Sequence, residues 1–313
     1  MTSKVIAITG ATGFIGKNLL KILPSHYVIK ALVRPQSYHK GLSSKVKWVL
    51  GNLEDPEALE SLLEGAEVVV HLAGAIKGRD YLDFARVNIR GFKNLLTKSL
   101  EAGVSRFLYI STLAAREPYL SPYASTKRWA EELLAHTPLK WNIFRPPAVY
   151  GPFDEELTPL IKLTLKGILP VFGELENRFS LLYVEDLCYA ILKWIKLEAP
   201  PSKIYELHDG KTSGYSWAEV QEIVAKIRGK PPKILKIPKS TLKPISFGVL
   251  WGGKIFKIKP MLTPYKINEL YHPDWTCDNA EISKDLGWQP LWPLEKVLRD
   301  WAQNGTRRDF KNT

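Results

Sequence analysis

The sequence predicts an α/β fold with a doubly wound parallel sheet, and two observations support this. Mostly β-branched and apolar residues from Lys4 to Ile8 predict a buried strand, and a helical pattern from Ile15 to Ile22 follows a glycine-rich turn. Strand and helix patterns then alternate as far as about residue 150. Such alternation is typical of a Rossmann-like sheet with helices on both faces.

The turn after the first strand has glycines at positions 10, 13 and 16. Gly10 permits a tight turn, Gly13 lets a pyrophosphate approach the backbone, and Gly16 lets the helix pack close to the strand. The first N–H groups of the helix then face the phosphates. An ordinary glycine-rich turn is the alternative. We predict that a dinucleotide is bound by Gly10, Thr12, Gly13, Phe14, Ile15 and Gly16.

The remaining strands and helices of the first half are predicted from their hydrophobic patterns. Strands are predicted at Tyr27–Val33, Val46–Leu50, Val68–Leu72, Phe107–Ile110 and Trp141–Phe144. Asp55 followed by Pro56, and Ser121 followed by Pro122, each predict a capped helix start. His71 lies within an apolar strand, so we interpret it as a packed histidine.

After Pro152 the alternation of strands and helices stops. Ser216 and Glu219 form a capping box that opens a helix, and Gly229 ends it. We predict a dinucleotide-binding domain and a smaller, mostly C-terminal substrate-binding domain. The first comprises residues 1–150 and 181–209, and the second comprises 151–180 and 210–313.

Length and composition exclude several protein classes. The 313 residues, 45% of them hydrophobic, suffice for one large or two modest domains. Cys188 and Cys277 cannot form a disulfide framework and lack metal-ligand spacing, which fits a reducing cytosol. The N-terminus enters a strand directly and no apolar run approaches the length of a spanning helix, so we expect a cytoplasmic protein without metal or signal peptide.

The net charge of +12 is concentrated in one window, residues 223–268, which contains no Asp or Glu. Its eleven basic residues account for nearly all of the excess. Aromatic and aliphatic residues are interleaved with them. The alternatives are a solvated surface and a peripheral contact with an anionic membrane. The window has no recognition motif for nucleic acid, so we expect no nucleic-acid partner.

Tyr123 and Lys127 are four residues apart, on one face of the predicted helix. A neighbouring ammonium lowers the pKa of a phenol, which otherwise is near 10. The pair can then move a proton to or from a substrate oxygen while a hydride moves at the adjacent carbon. Thr112, or Ser111, can hold the same oxygen by a hydrogen bond. A solvated helix face is the alternative.

Arg34 follows the second strand, where NAD-binding sites usually have an acidic residue. No carboxylate is near that position, and an Arg can pair with a 2′-phosphate. We therefore expect NADP or NAD as cofactor, with NADP preferred.

Several motifs together resemble one family. They are Thr9–Gly16, His71–Gly74, Asn88, Tyr109–Thr112, Tyr123 with Lys127, Arg145–Pro152 and Tyr183-Val184-x-Asp186. The chain resembles an extended short-chain dehydrogenase/reductase of the NAD-dependent epimerase/dehydratase superfamily. The resemblance implies a catalytic triad of Thr112, Tyr123 and Lys127. It implies cofactor contacts at Arg34, Asn52, Leu53, Leu72, Ala73, Gly74, Tyr123, Lys127, Pro146 and Val149.

Departures from the family pattern narrow the expected substrate. Ala148 replaces an Asn that helps to hold sugar nucleotides, and Leu113-Ala114 replaces the acidic pair of sugar 4,6-dehydratases. Asn52 replaces the more frequent Asp beside adenine. The pattern is most similar to dihydroflavonol reductases and 3β-hydroxysteroid dehydrogenases, which act on apolar alcohols and ketones.

We therefore predict an NAD(P)-dependent oxidoreductase that acts on a hydroxyl or ketone of an apolar small molecule. A sugar-nucleotide epimerase and a non-catalytic dinucleotide-binding subunit are the alternatives. A homodimer is left open.

Overall fold

The computed structural model describes residues 4–38, 43–256 and 259–305 of the chain. Its strands, in chain order, are β1 (Val5–Thr9), β2 (Val28–Val33), β3 (Val46–Leu50), β4 (Val68–His71), β5 (Arg106–Ile110), β6 (Lys140–Arg145), β7 (Ala148–Tyr150), β8 (Ile168–Phe172), β9 (Arg178–Phe179), β10 (Leu181–Tyr183), β11 (Lys203–Glu206), β12 (Tyr215–Ser216), β13 (Lys233–Ile237) and β14 (Asp274–Trp275).

The α-helices follow in the same order. They are α1 (Phe14–Ile22), α2 (Pro56–Leu63), α3 (Tyr81–Ala85), α4 (Phe92–Glu101), α5 (Pro122–Ala135), α6 (Thr158–Leu165), α7 (Val184–Lys196), α8 (Trp217–Arg228), α9 (Lys239–Ile255), α10 (Pro264–Leu270), α11 (Ala280–Leu286) and α12 (Leu294–Asn304). A π-helical turn, Arg86–Gly91, joins α3 to α4.

The chain divides into two compact units. The first unit comprises Met1–Arg145 and Cys188–Tyr205, and the second comprises Pro146–Leu187 and Glu206–Thr313. The predicted domain boundaries lie within several residues of these. The assignment of one domain to the cofactor and the other to the substrate stays a prediction.

A seven-stranded sheet organises the first unit, in the order β3-β2-β1-β4-β5-β6-β11. The pairs from β3 through β6 are parallel. The order reverses between β1 and β4, and ligands of open α/β sheets bind at the carboxyl ends of strands at such a point. The predicted doubly wound, Rossmann-like α/β sheet is confirmed.

The core of the first unit forms between the sheet and its helices. Leu59, Leu62 and Leu63 of α2 pack with Leu95 of α4 and with strand residues such as Val69. The predicted cap of α2 is present, because the Asp55 carboxylate accepts a hydrogen bond from the Ala58 N–H at 3.1 Å. These contacts hold the helices against the sheet and so fix the strand ends that carry the candidate site.

The second unit has its own core and three small sheets: β7 with β10, β8 with β13, and β9 between β12 and β14. Tyr150, Leu169, Val220 and Trp301 are buried together in this core. Ser216 and Glu219 form the predicted capping box of α8, and Gly229 ends the helix with a φ of 73°.

The basic window is more regular than its Pro and Gly content indicates. The structure places β13, α9 and α10 within it, and α9 continues through Pro244. Among the described residues, no helix is both long enough and apolar enough to cross a membrane. Lys257 and Ile258 of the window lie outside the described residues.

Arg106 links two parts of the first unit that are distant in sequence. It is 4% exposed at the start of β5, and its guanidinium donates to the carbonyls of Trp194 (3.3 Å), Ile195 (3.1 Å) and Leu197. These carbonyls lie at the C-terminal end of α7, where helix carbonyls lack intrahelical donors. Arg106 therefore caps α7 from the sheet.

The Arg106→Met substitution should lower the free energy of unfolding by about 2 kcal/mol, because it keeps an apolar stem but removes the donors of three carbonyls. Urea unfolding measures this. Arg299→Met is the matched control, since Arg299 is half exposed and its ion-pair partner among the described residues is Glu295 on the same helix. Equal effects of the two substitutions would contradict the capping role.

Candidate active site

The glycine turn between β1 and α1 is tightly packed. Gly10 has a φ of 76°, and a Cβ there would lie 2.6 Å from the backbone nitrogen of Ala73, after β4. A Cβ at Gly16 would lie 2.4 Å from the carbonyl oxygen of Gly10. The predicted roles of these two glycines, turn formation and close packing, agree with this geometry.

Gly13 is less crowded than the other two glycines. Apart from its chain neighbours, a Cβ at Gly13 would meet one described atom within 4 Å, the carbonyl oxygen of Gly10, in a tight contact at 3.2 Å. Gly13 is also the N-cap of α1, where no described side chain caps the helix. The first N–H groups of α1 thus remain for an anion, and the turn fits a pyrophosphate.

The end of β4 lies directly beside this turn. His71 is buried, and its Nδ1 is 2.7 Å from Thr9 Oγ1 on β1. Burial, and to a smaller extent the charge of Lys127, hold the pKa of His71 well below its ordinary value, so the ring is neutral. This confirms a packed histidine. The predicted cofactor contacts Leu72, Ala73 and Gly74 follow it.

Arg34, Asn52 and Leu53 lie after neighbouring strands. Arg34 follows β2 and is exposed, while Asn52 and Leu53 follow β3, which pairs with β2. Asn52 is exposed and Leu53 is buried. The acidic residue of this corner, Glu54, pairs with Arg86, and that contact holds the pKa of its carboxyl below the usual value.

Asn88 connects the β4 loop to the helix of the Tyr/Lys pair. Its Oδ1 accepts from the Ala75 N–H at 2.8 Å, and its Nδ2 donates to the Ala75 carbonyl at 3.2 Å and to Thr126 Oγ1 at 3.1 Å. Asn88 lies in the π-helical turn, and such turns are frequent at functional sites. Asn88 was not among the predicted site residues, although it was one of the positions on which the family resemblance rests.

Lys127 is almost fully buried, with 4% exposure. Its Nζ donates to the Ile110 carbonyl at 2.8 Å and lies 4.2 Å from the centre of the Tyr109 ring. Burial lowers the pKa of Lys127 from 10.5 to about 7, and the carboxylate of Glu131 partly opposes this shift. A Cβ at Gly74 would come within 3.8 Å of Nζ, so Lys127 faces the end of β4.

Tyr123 and Thr112 are partly exposed, unlike Lys127. Tyr123 lies in the first turn of α5, and its ring centre is 6.2 Å from that of Phe84. Thr112 follows β5 and caps a 3₁₀ turn, its Oγ1 3.3 Å from the Ala114 N–H. Both residues are thus less buried than Lys127.

Ser111 has a different partner from Thr112. Its hydroxyl donates to Glu131 Oε1 at 2.5 Å, and Arg145 binds the same carboxylate through Nε at 3.0 Å and Nη2 at 2.5 Å. All three residues are buried. Because the Ser111 hydroxyl is engaged, Thr112 is the better of the two predicted candidates for holding a substrate oxygen.

The predicted residues therefore fall into two sets. Those of the first unit lie at the carboxyl ends of β1 to β5 or on the helices that follow. Pro146 and Val149 belong to the second unit, where Val149 pairs with Leu182.

Among the described residues, no group of three or more His, Cys, Asp or Glu could hold a metal ion.

A family model supports this arrangement. The model of the NAD dependent epimerase/dehydratase family matches residues 6–207, which include the glycine turn, Tyr123 and Lys127. The chain belongs to this family. The predicted enzyme class, an NAD-dependent dehydrogenase, reductase or epimerase of the extended short-chain type, is confirmed, and so is a cofactor of the NAD type.

Individual relatives include both reductases and epimerases. A ceramide reductase of Caulobacter vibrioides is 35% identical, over 90% of this chain and 89% of the relative. A UDP-glucose 4-epimerase of Vibrio cholerae is 28% identical, over 96% and 95% of the two chains. These relatives act on small molecules.

Solved structures give the same fold. The UDP-glucuronic acid 4-epimerase from Bacillus cereus, in complex with UDP-glucuronic acid and NAD, superposes with a TM-score of 0.71 at 21% identity. The match covers 96% of this chain and 99% of that chain.

The Lys127→Met variant should be at least as stable as the wild type at pH 7, because a buried ammonium with a single carbonyl acceptor is costly. The pKa of Lys127 is about 7 in the folded protein and 10.5 in the unfolded chain. At pH values between these two, the folded state therefore binds fewer protons than the unfolded state. Wild-type stability relative to Lys127→Met should therefore rise by about 1 kcal/mol per pH unit from about pH 7 to 9.

Urea unfolding at several pH values measures this difference. Lys140→Met, at an exposed position, should change stability by less than about 0.5 kcal/mol at every pH. A difference between wild type and Lys127→Met that is constant with pH would show that Lys127 keeps its ordinary pKa.

Proposed function

We propose that this protein is an NAD(P)-dependent reductase or dehydrogenase in which Thr112, Tyr123 and Lys127 act on a hydroxyl or ketone. The observation that carries the proposal is the buried Lys127 ammonium, one helical turn from the accessible Tyr123. A buried lysine with a pKa near neutrality is an uncommon and costly arrangement, and such groups cluster at functional sites.

Each of the three side chains has a separate task. In the reducing direction, the Tyr123 phenol donates its proton to the substrate's carbonyl oxygen, and the Thr112 hydroxyl donates a hydrogen bond to the same oxygen. The ammonium of Lys127 stabilises the phenolate that remains. The nicotinamide, when bound, supplies the hydride for the carbonyl carbon. In the oxidising direction the phenolate of Tyr123 accepts the proton.

The proposed substrate is apolar, with a lipid-like ketone or alcohol as the leading class. The identity of 35% to a ceramide reductase, over nearly the full length of both chains, supports this class. Ala148 and the pair Leu113-Ala114 lack the polar and acidic groups expected for sugar nucleotides and their dehydration. A sugar-nucleotide epimerase is the second candidate, favoured by the match to the Vibrio cholerae enzyme.

The cofactor is proposed to bind along the carboxyl edge of the sheet. The turn at Gly10, Gly13 and Gly16 would hold the pyrophosphate, and Lys127 would also hold the nicotinamide ribose. We propose a preference for NADP, because the Arg34 guanidinium is exposed after β2. The carboxylate of Glu54, just after β3, is paired with Arg86, which reduces its repulsion toward a phosphate.

Several broader assignments are part of the same proposal. The first unit would bind the cofactor, and the second would contribute the substrate pocket and, through Pro146 and Val149, a border of the nicotinamide. We also propose a cytoplasmic protein that contacts an anionic membrane surface through residues 223–268.

The Tyr123→Phe substitution should lower turnover at least about 100-fold, since general acid catalysis typically contributes 100- to 10,000-fold. Cofactor affinity should change less than about twofold, because the ring and its contact with Phe84 remain. The assay follows NADPH and NADH oxidation with long-chain and cyclic ketones, and it follows epimer formation with UDP-sugars. Tyr119→Phe, at a 98% exposed tyrosine, is the control. Wild-type turnover by Tyr123→Phe would refute the mechanism.

The Arg34→Ala substitution should weaken NADPH binding roughly 10- to 100-fold, because one charge-assisted hydrogen bond contributes about 1.5–3 kcal/mol. NADH binding should change little. Nicotinamide fluorescence titration measures both affinities. Arg128→Ala, on the outer part of α5, is the control. A wild-type protein that binds NADH more tightly than NADPH would show that Arg34 is only a surface residue.

A further inference from the structure

Helix α9 of the second unit buries only a narrow stripe of its surface. Ser246 and Gly253 are buried, and Leu242 and Leu250 are partly buried. These residues recur at intervals of three or four, so they form one face of the helix. Most of the other described side chains of α9 are exposed.

The exposed side of α9 is apolar. Phe247, Trp251 and Ile255 are four residues apart, and 54%, 69% and 53% of their respective surfaces are exposed. Side chains at this spacing form a continuous row along a helix. Ile245 and Val249, which are 50% and 40% exposed, form a second row. Between Pro244 and Gly253 the helix carries no charged residue.

Cations lie on the elements around this apolar surface. Lys239 and Lys243 are exposed in the first turns of α9, and Lys233 and Lys236 are exposed on β13. One of these cations is partly neutralised, because Lys236 lies 3.3 Å from the carboxylate of Glu174. Residues 223–268 contain no Asp or Glu, so the window itself presents no negative charge.

We propose that α9 is an interfacial helix that lies in the headgroup region of an anionic bilayer, with Phe247, Trp251 and Ile255 directed toward the acyl chains. This narrows the membrane contact proposed above to one helix. The inference is independent of the reductase chemistry, because α9 carries none of the proposed catalytic residues.

The choice of a bilayer follows from charge and chemistry. An apolar face that contains Trp and Phe and is flanked by lysines matches the acyl boundary and the anionic headgroups together. A second copy of the chain would bring the same lysines against each other, which opposes association through this face. The helix does not meet the length and hydropathy of a membrane-spanning segment, so it lies in the surface plane.

Vesicle co-sedimentation tests the apolar face. The wild type should bind vesicles of equal phosphatidylcholine and phosphatidylglycerol, and bind pure phosphatidylcholine much less. The double variant Phe247→Ser, Trp251→Ser should bind at least about tenfold more weakly. It lacks the two aromatic rings that the wild type transfers from water to the bilayer. Trp129→Ser, at a 53% exposed tryptophan on α5, is the matched control and should bind like the wild type.

A charge-reversal pair tests the lysines. Each lysine near an anionic surface strengthens binding about fivefold, so Lys239→Glu with Lys243→Glu should weaken binding at least about 25-fold. Lys140→Glu with Lys162→Glu makes the same change in net charge at exposed positions elsewhere and should have little effect. Binding of the wild type should also weaken as salt increases.

Quenching by lipids with brominated acyl chains tests the orientation of the helix. Bromine should quench part of the wild-type tryptophan fluorescence, and the Trp251→Phe variant should lose that part while still binding vesicles. Undiminished vesicle binding by the Phe247→Ser, Trp251→Ser variant would overturn the proposal. A concentration-dependent dimer that this variant abolishes would do the same, since it would assign α9 to a second copy.

Cofactor titration of every variant separates this proposal from the proposed function. Variants that bind NADPH and turn over a water-soluble ketone like the wild type, but lose vesicle binding, support the interfacial helix alone. A wild type that sediments equally little with both kinds of vesicle overturns the membrane proposal and leaves the reductase proposal standing.

Discussion

The candidate site depends on keeping the Lys127 ammonium out of water. Three segments of the first unit achieve this: the end of β5 provides the Ile110 carbonyl, α5 carries the lysine, and the π-helical turn holds the β4 loop through Asn88. Water would compete for the ammonium and restore its ordinary pKa. The fold therefore accepts a local loss of stability to hold, beside Tyr123, a buried lysine whose pKa lies near neutrality.

The buried group Ser111, Glu131 and Arg145 complements this arrangement. Glu131 is four residues beyond Lys127 on α5, and Arg145 ends β6, so the ion pair fixes the helix against two neighbouring strands. A carboxylate with four hydrogen bonds from two partners has little freedom to turn toward Lys127. The helix is thus positioned by one buried ion pair, while the lysine itself remains free of a direct carboxylate contact that would raise its pKa.

The sequence predicted the parts of the site that depend on local rules. Gly10 shows the positive φ that a tight turn needs, Asp55 caps α2, and Ser216 with Glu219 opens α8. These features involve residues within a few positions of each other. The resemblance to a family extended the prediction to Tyr123 and Lys127, but their role in catalysis stays a prediction.

Other parts could not be predicted because their partners are remote or break a local rule. Glu131 finds Arg145 only after the sheet has formed, and the π-helical turn at Asn88 shifts the helical period by one residue. Helix α9 continues through Pro244, a residue that usually ends a helix, so the sequence pattern predicted no helix there.

The discontinuity of the first unit has a consequence for synthesis on the ribosome. β11 borders β6 in the sheet, yet the whole second-unit segment Pro146–Leu187 is made between the two strands. Until residues 188–205 emerge, Arg106 lacks its helix carbonyls, and Asn142 lacks its bonds to Trp194 and Pro201. The nascent chain must carry β6 as an open edge during that interval, and such edges are where nascent β-proteins associate wrongly.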